Sequence, residues 1–260
     1  MTAANPLTTS ESVTTADSLR RVLAQSRFET LAVLRNGEQL LLSLILPLII
    51  LIGLARTDVL SSLATVPAGT SAIQFATAGV LGVAVASIAF TGQGIQTAFD
   101  RRYGVLRQLA TTPLGAAGVI WGKLGAVVGV LAVQTLLLLA AAAVLGLSFG
   151  TINWPGAVLA LLAGAAALVS WGVLMAGTLR PEATLAVANL LWVLMSSVGG
   201  LLFHREGAWG RALELLPPGA LGSALRAAVV DGVIAWPALA VLVVWALIGT
   251  LAARRWFSFD

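Results

Sequence analysis

Few residues in this chain have the type and spacing needed for chemistry, and most of those fail to combine. The one Gly-Lys pair, Gly122-Lys123, has Ala117 where a phosphate-cradling loop needs its first glycine. Leu124 follows where Ser or Thr must hold magnesium. The chain therefore cannot be its own P-loop ATPase. His204 has no second His or any Cys near it, so no metal site forms around it. No serine stands in a Gly-x-Ser-x-Gly elbow and no His-Asp constellation accompanies one. With no cysteine, the chain has no disulfide framework or thiol nucleophile. What remains is a dense run of charge, Phe99–Leu114, holding Asp100, Arg101, Arg102 and Arg107. Its chemistry is charge recognition, not bond making.

The elements around that run explain its position. Residues 59–99 before it and 124–179 after it carry no charged side chain. A basic piece between membrane-length apolar runs reads as a cytoplasmic loop at the membrane surface. Val105, Leu106 and Leu109 fall at i, i+1 and i+4, an apolar stripe one or two helical turns long. Pro113 disfavours a helix through Thr112. On spacing alone, a loop that only sets topology reads equally well.

The chain has 260 residues, 58% hydrophobic and 10% charged, against about a quarter charged in soluble domains. That makes it an all-α, polytopic membrane protein. Its net charge of +4 sits at the ends of apolar runs instead of in one patch, which argues against nucleic acid as a partner. Residues 1–18 read as a disordered cytoplasmic tail, and residues 19–260 as one transmembrane domain. Over 19–36 a helix gathers Leu19, Val22, Leu23, Val33 and Leu34 with Ser26 and Thr30 on one side. Arg20, Arg21, Arg27 and Arg35 share the other. This suits a helix lying in the interface with arginines toward lipid phosphates, or one packed on a partner.

Six spans are expected, over about 39–55, 71–98, 115–146, 156–178, 183–203 and 233–252. Pro47 lies inside the first, where neighbouring groups must satisfy the carbonyl it frees. The polar end of the second, Thr91–Thr97, should face helices or water. In the third, Gly118, Gly122, Gly125 and Gly129 share a face that permits close approach of another helix. Trp154 is placed as an interface anchor, and Arg180-Pro181-Glu182 as a tight inside turn. Residues 204–232, with Pro217, Pro218 and Arg226, are too apolar for a plain loop; two external interfacial or re-entrant helices broken at the prolines fit. With both termini inside, 11 of 15 basic residues are cytoplasmic, which sets N-in, C-in and an even span count in the plasma (inner) membrane.

The run Asp100-Arg101-Arg102-x-Gly104-x-Leu106-x-x-Leu109-x-x-Thr112-Pro113-Leu114 resembles the loop between the second and third spans of type-2 ABC transporter permeases. These are membrane subunits of bacterial exporters for drugs, lipids and lipid-linked glycans. The resemblance implies that Asp100, Arg101, Arg102, Gly104, Val105, Leu106, Arg107, Leu109, Thr112 and Pro113 form a coupling helix docking on a separate ATPase. Arg107 stands where family members often carry Glu. It also implies a helical re-entrant hairpin before the last span. The expected partners are two ATPase copies, a second or homologous permease, and the bilayer. ATP and magnesium would sit on the ATPase, with no cofactor on this chain and no catalysis by it. The cargo would be an amphipathic drug, lipid or glycolipid. A non-transporting membrane scaffold is the reading from another class; an ion-coupled carrier is disfavoured because no span centre holds Asp, Glu, Lys or Arg.

Overall fold

The computed structural model describes residues 15–37, 41–57, 71–110, 115–203 and 207–257. Most of the tail expected over 1–18, the loop after Thr57, Thr112, Pro113 and His204 lie outside the described residues. Every regular element among those described is helical. They are α1 (Thr15–Arg35), α2 (a π-helical turn Leu41–Ile45 continuing as Leu46–Arg56), α3 (Ala72–Arg102), α4 (Val105–Ala110), α5 (Gly115–Val144), α6 (Trp154–Thr178), α7 (Pro181–Ser197), α8 (Gly207–Glu214), α9 (Pro217–Val229) and α10 (Trp236–Trp256).

Among the described residues, four stretches are long and apolar enough to cross a membrane: Ala72–Arg102, Trp121–Val144, Trp154–Thr178 and Trp236–Trp256. The apolar helix Ser43–Arg56 is shorter, and α7 has 17 residues. α7 ends at Ser197 instead of reaching Phe203: Val198 caps it, and Gly200 takes a positive φ of 90° that turns the chain away. α1 starts at Thr15, within the stretch expected to be disordered.

α3 is the axis. Every residue from Phe75 to Phe90 is buried, as expected for a helix apolar on all sides. It contacts α2, α5, α6, α7 and α9. The small residues that make its sequence look bland allow this crowding: a side chain at Gly172 of α6 would meet the Phe90 carbonyl of α3 at 2.8 Å. On its far side α6 packs against α10, where Gly249 lies on Ser170. Trp171 also stacks edge-on to Trp245 at 5.3 Å, its indole N–H donating to the Trp245 carbonyl at 3.2 Å.

Two features of the sequence acquire partners. Pro47 deprives the carbonyl four residues earlier, at Ser43, of its α-helical donor. The chain widens there into the π-helical turn, and Gln134 Nε2 of α5 donates to that same Ser43 oxygen. The glycine face of α5 receives α1. Gly122 lies under Gln25, Gly125 under Ser26 and Gly129 under Thr30. Ser26 and Thr30 turn their hydroxyls back to the Val22 and Ser26 carbonyls, at 2.9 and 2.7 Å, so neither hydroxyl is stranded. The line α1 buries is therefore Ser26, Glu29 and Val33. Leu19 and Leu23 stay 59% exposed beside it.

Gly125→Leu should lift α1 off α5, costing about 1–3 kcal/mol as overpacking does. Limited trypsinolysis at Arg20, Arg21 and Arg27 should accelerate in this variant and stay unchanged in Gly150→Ala, whose site has nothing within 4 Å.

Candidate functional site

The charged motif begins on the last turn of α3. Asp100, Arg101 and Arg102 are consecutive, so the helix turns each about 100° from the last. They reach three different places. Asp100 Oδ2 accepts from Lys123 Nζ of α5 at 2.7 Å. Arg101 Nη2 donates to the Leu179 carbonyl at 2.7 Å, where α6 has just ended. Arg102 forms an ion pair with Glu182 in the first turn of α7. The expected inside turn Arg180-Pro181-Glu182 is thus held by two successive arginines of α3.

The Asp100 arm goes further. Lys123 also lies 3.7 Å from Glu29 Oε2 of α1, and Gln25 Nε2 donates to Glu29 Oε1 at 2.8 Å. Lys123 and Glu29 side chains are 11% and 7% exposed, Asp100 21%. By contrast Arg102 and Glu182 are 50% and 64% exposed. The first cluster is a buried charge group whose members cannot be removed singly without stranding a charge. The second is a surface pair of small energetic weight.

After Arg102 the chain must turn sharply. Gly104 does so with φ +71° and nothing within 4 Å of its missing Cβ, so glycine is required there for conformation and not for space. Its carbonyl accepts from Gln108 N at 3.1 Å, starting α4. On α4 Leu106 is buried at 8% exposure, Val105 half-buried, and Arg107 and Gln108 exposed; Tyr103, just before the turn, is 69% exposed. Leu106 therefore faces this chain and is not free to fill a groove on another. Thr112 and Pro113 lie outside the described residues, as does the side chain of Leu109.

The other expected sites are separate from this one. On α1, Arg20, Arg27 and Arg35 are exposed and Arg21 half-buried. At the opposite end of the helices, α8 and α9 form a hairpin. Pro217 and Pro218 start α9, and Gly219 packs directly on the Leu213 carbonyl. Arg226 is buried, donating to the Gly200 and Leu201 carbonyls at 3.0 and 3.2 Å and lying 5.9 Å from the Phe75 ring centroid. Burial lowers its pKa to about 10, against the pull of Glu214 and Asp231. It stays cationic and caps the carbonyls where the chain leaves α7.

Sequence reasoning found Asp100, Arg101 and Arg102 but not what they hold. Glu29 was one acid in an arginine-rich helix. Its signal was its position on the same face as Val22, Ser26 and Val33. Lys123, the only lysine, stood in an otherwise uncharged helix and needed a carboxylate.

Lys123→Met should cost about 3–5 kcal/mol by leaving Glu29 and Asp100 facing each other unpaired. Adding Glu29→Gln and Asp100→Asn should recover most of that loss, and Arg102→Ala should cost under about 1 kcal/mol. Thermal unfolding of the four purified proteins would read these differences.

A comparison with curated proteins gives no match. The family model for the ABC-2 family transporter protein, however, matches residues 61–255, three quarters of the chain. That span takes in α3 through all but the last residue of α10, and so the charged end of α3, α4 and the α8–α9 hairpin. The chain belongs to the ABC-2 transporter family: it is a type-2 ABC transporter permease, a multi-pass membrane protein of a family that works with an ABC ATPase.

Proposed function

We propose that this chain is the permease subunit of an ATP-driven exporter in the plasma membrane, with a separate ATPase docking on α4. The observation that carries this reading is the end of α3. A short helix hangs from the central helix by one glycine turn, and the three residues before the turn are tied to α5 and α1, to α6 and to α7. A push on α4 would reach most of the helices at once, because the clamps leave α3 little freedom to move alone. Coupling by a rigid element that biases a two-state pathway needs this property.

In this reading α2 and α7 supply the two further spans, giving six, with α1 on the inner leaflet and α8–α9 outside. Two such permeases, identical or homologous, would pair with two ATPases. The ATPase contact would come from Tyr103, Arg107 and Gln108, which are exposed, together with half-buried Val105. ATP and magnesium would be held by the ATPase alone.

Tyr103→Ala combined with Arg107→Ala should lower ATPase recovery with tagged permease at least about tenfold, or 1.4 kcal/mol. Its thermal unfolding should match the wild type. Leu106→Ala should instead lower stability by about 2–4 kcal/mol, as a cavity in the core does. Undiminished ATPase recovery and transport in the double variant would reduce α4 to a loop that only sets topology.

A further inference from the structure

A cavity of about 520 Å³ lies between the C-terminal end of α1, the start of α2, the second half of α3, α5 and α7. Along α3 it is lined by Ile88, Thr91, Gly92, Ile95, Gln96 and Phe99. These positions repeat at helical spacing over 11 residues, so the groove runs along one face of α3 for about 16 Å. Among the described residues no charged side chain lines it.

Both π-helical turns among the described residues border this groove. Leu41–Ile45 contributes Ser43, and Ala86–Gly92 contributes Ser87, Ile88, Thr91 and Gly92. Widened turns of this kind are frequent at functional sites. Trp192 closes the groove from α7, its indole N–H fixed to Ser87 Oγ at 2.8 Å. In the α3 wall, Thr91 Oγ1 and Gln96 Oε1 are buried without any hydrogen-bond partner. Each such oxygen is destabilising until a donor reaches it. Asn189 of α7 adds an exposed amide at the rim.

We propose that this groove is a binding site for an uncharged amphiphile with an amide or hydroxyl head and an apolar body. A charged ligand would be buried with no counter-charge in the wall, which is costly. A pure hydrocarbon would leave the wall oxygens unsatisfied. Amide side chains both donate and accept, and so suit a neutral polar head. The apolar length supplied by Ile88, Ile95, Phe99, Val127 and Val130 suits the body. The groove lies in the half of α3 nearest α4, so a ligand would enter at the end that the ATPase addresses. Calling that ligand cargo rests on the export reading; its binding does not.

Equilibrium binding of radiolabelled N-decanoylethanolamine and of decyltrimethylammonium to the full chain in zwitterionic nanodiscs tests this. The neutral amide should bind saturably, and the cation of equal tail length at least about tenfold more weakly. Ile95→Trp, which fills the groove, should weaken amide binding at least about tenfold. Should Ile95→Trp unfold, Asn189→Asp at the exposed rim carries the test: it should strengthen cation binding and weaken that of the amide. Absence of saturable amide binding would overturn the proposal and leave the groove to a second copy or bilayer lipid. Equal binding of the two probes, or no change in either variant, would overturn it too. ATPase recovery measured on the same preparations separates the claims: binding without recruitment contradicts only the export reading, and recruitment without binding contradicts only the site.

Discussion

Lys123 stands between Glu29 and Asp100, and three helices depend on it. Burying an ammonium and two carboxylates among apolar helices is expensive, so the cluster holds only if all three arrive together. That requirement fixes the depth of α1 against α5 and the rotation of α3 about its axis. The glycine face on α5 is what makes it attainable. With bulkier residues at Gly122, Gly125 and Gly129, α1 would stand too far off for Glu29 to approach Lys123. The ion cluster and the glycine seam are one device, part electrostatic and part steric.

The cluster also gives the charged loop a meaning different from that of a docking rim. Its first three charges are structural arms, and their fan-like spread follows from helical geometry. What faces outward is the short remainder around Tyr103 and Arg107. Arg107, where the resemblance leads to an expectation of Glu, falls on the exposed part of the loop.

Much of this was legible in the sequence, and the reasons for success and failure are physical. The uncharged runs announced the long helices because length and hydropathy are local properties. Pro47 announced a need for an outside donor, though not Gln134, which is 91 residues from the carbonyl it satisfies. The glycine face announced close packing but not its partner, and the apolar face of α1 held Ser26 and Thr30 without showing that they meet those glycines. Leu106 reads from the sequence only as part of an apolar stripe, and the structure buries it against its own chain. The end of α7 was misplaced because an apolar stretch continues past it, and only the left-handed turn at Gly200 and the Arg226 caps show where the helix stops.

If the Asp100, Arg101 and Arg102 contacts hold, α4 and the ends of α3, α6 and α7 move as one body. The cysteine-free chain permits spin labels at Gln108→Cys on α4 and Ala186→Cys on α7. Double electron–electron resonance on the assembled transporter, nucleotide-free and trapped with ATP, would give the distance between them. A single narrow distribution unchanged by nucleotide is the expected result. A shift or broadening on ATP binding would show that the coupling helix moves independently of its clamps, and would contradict the account.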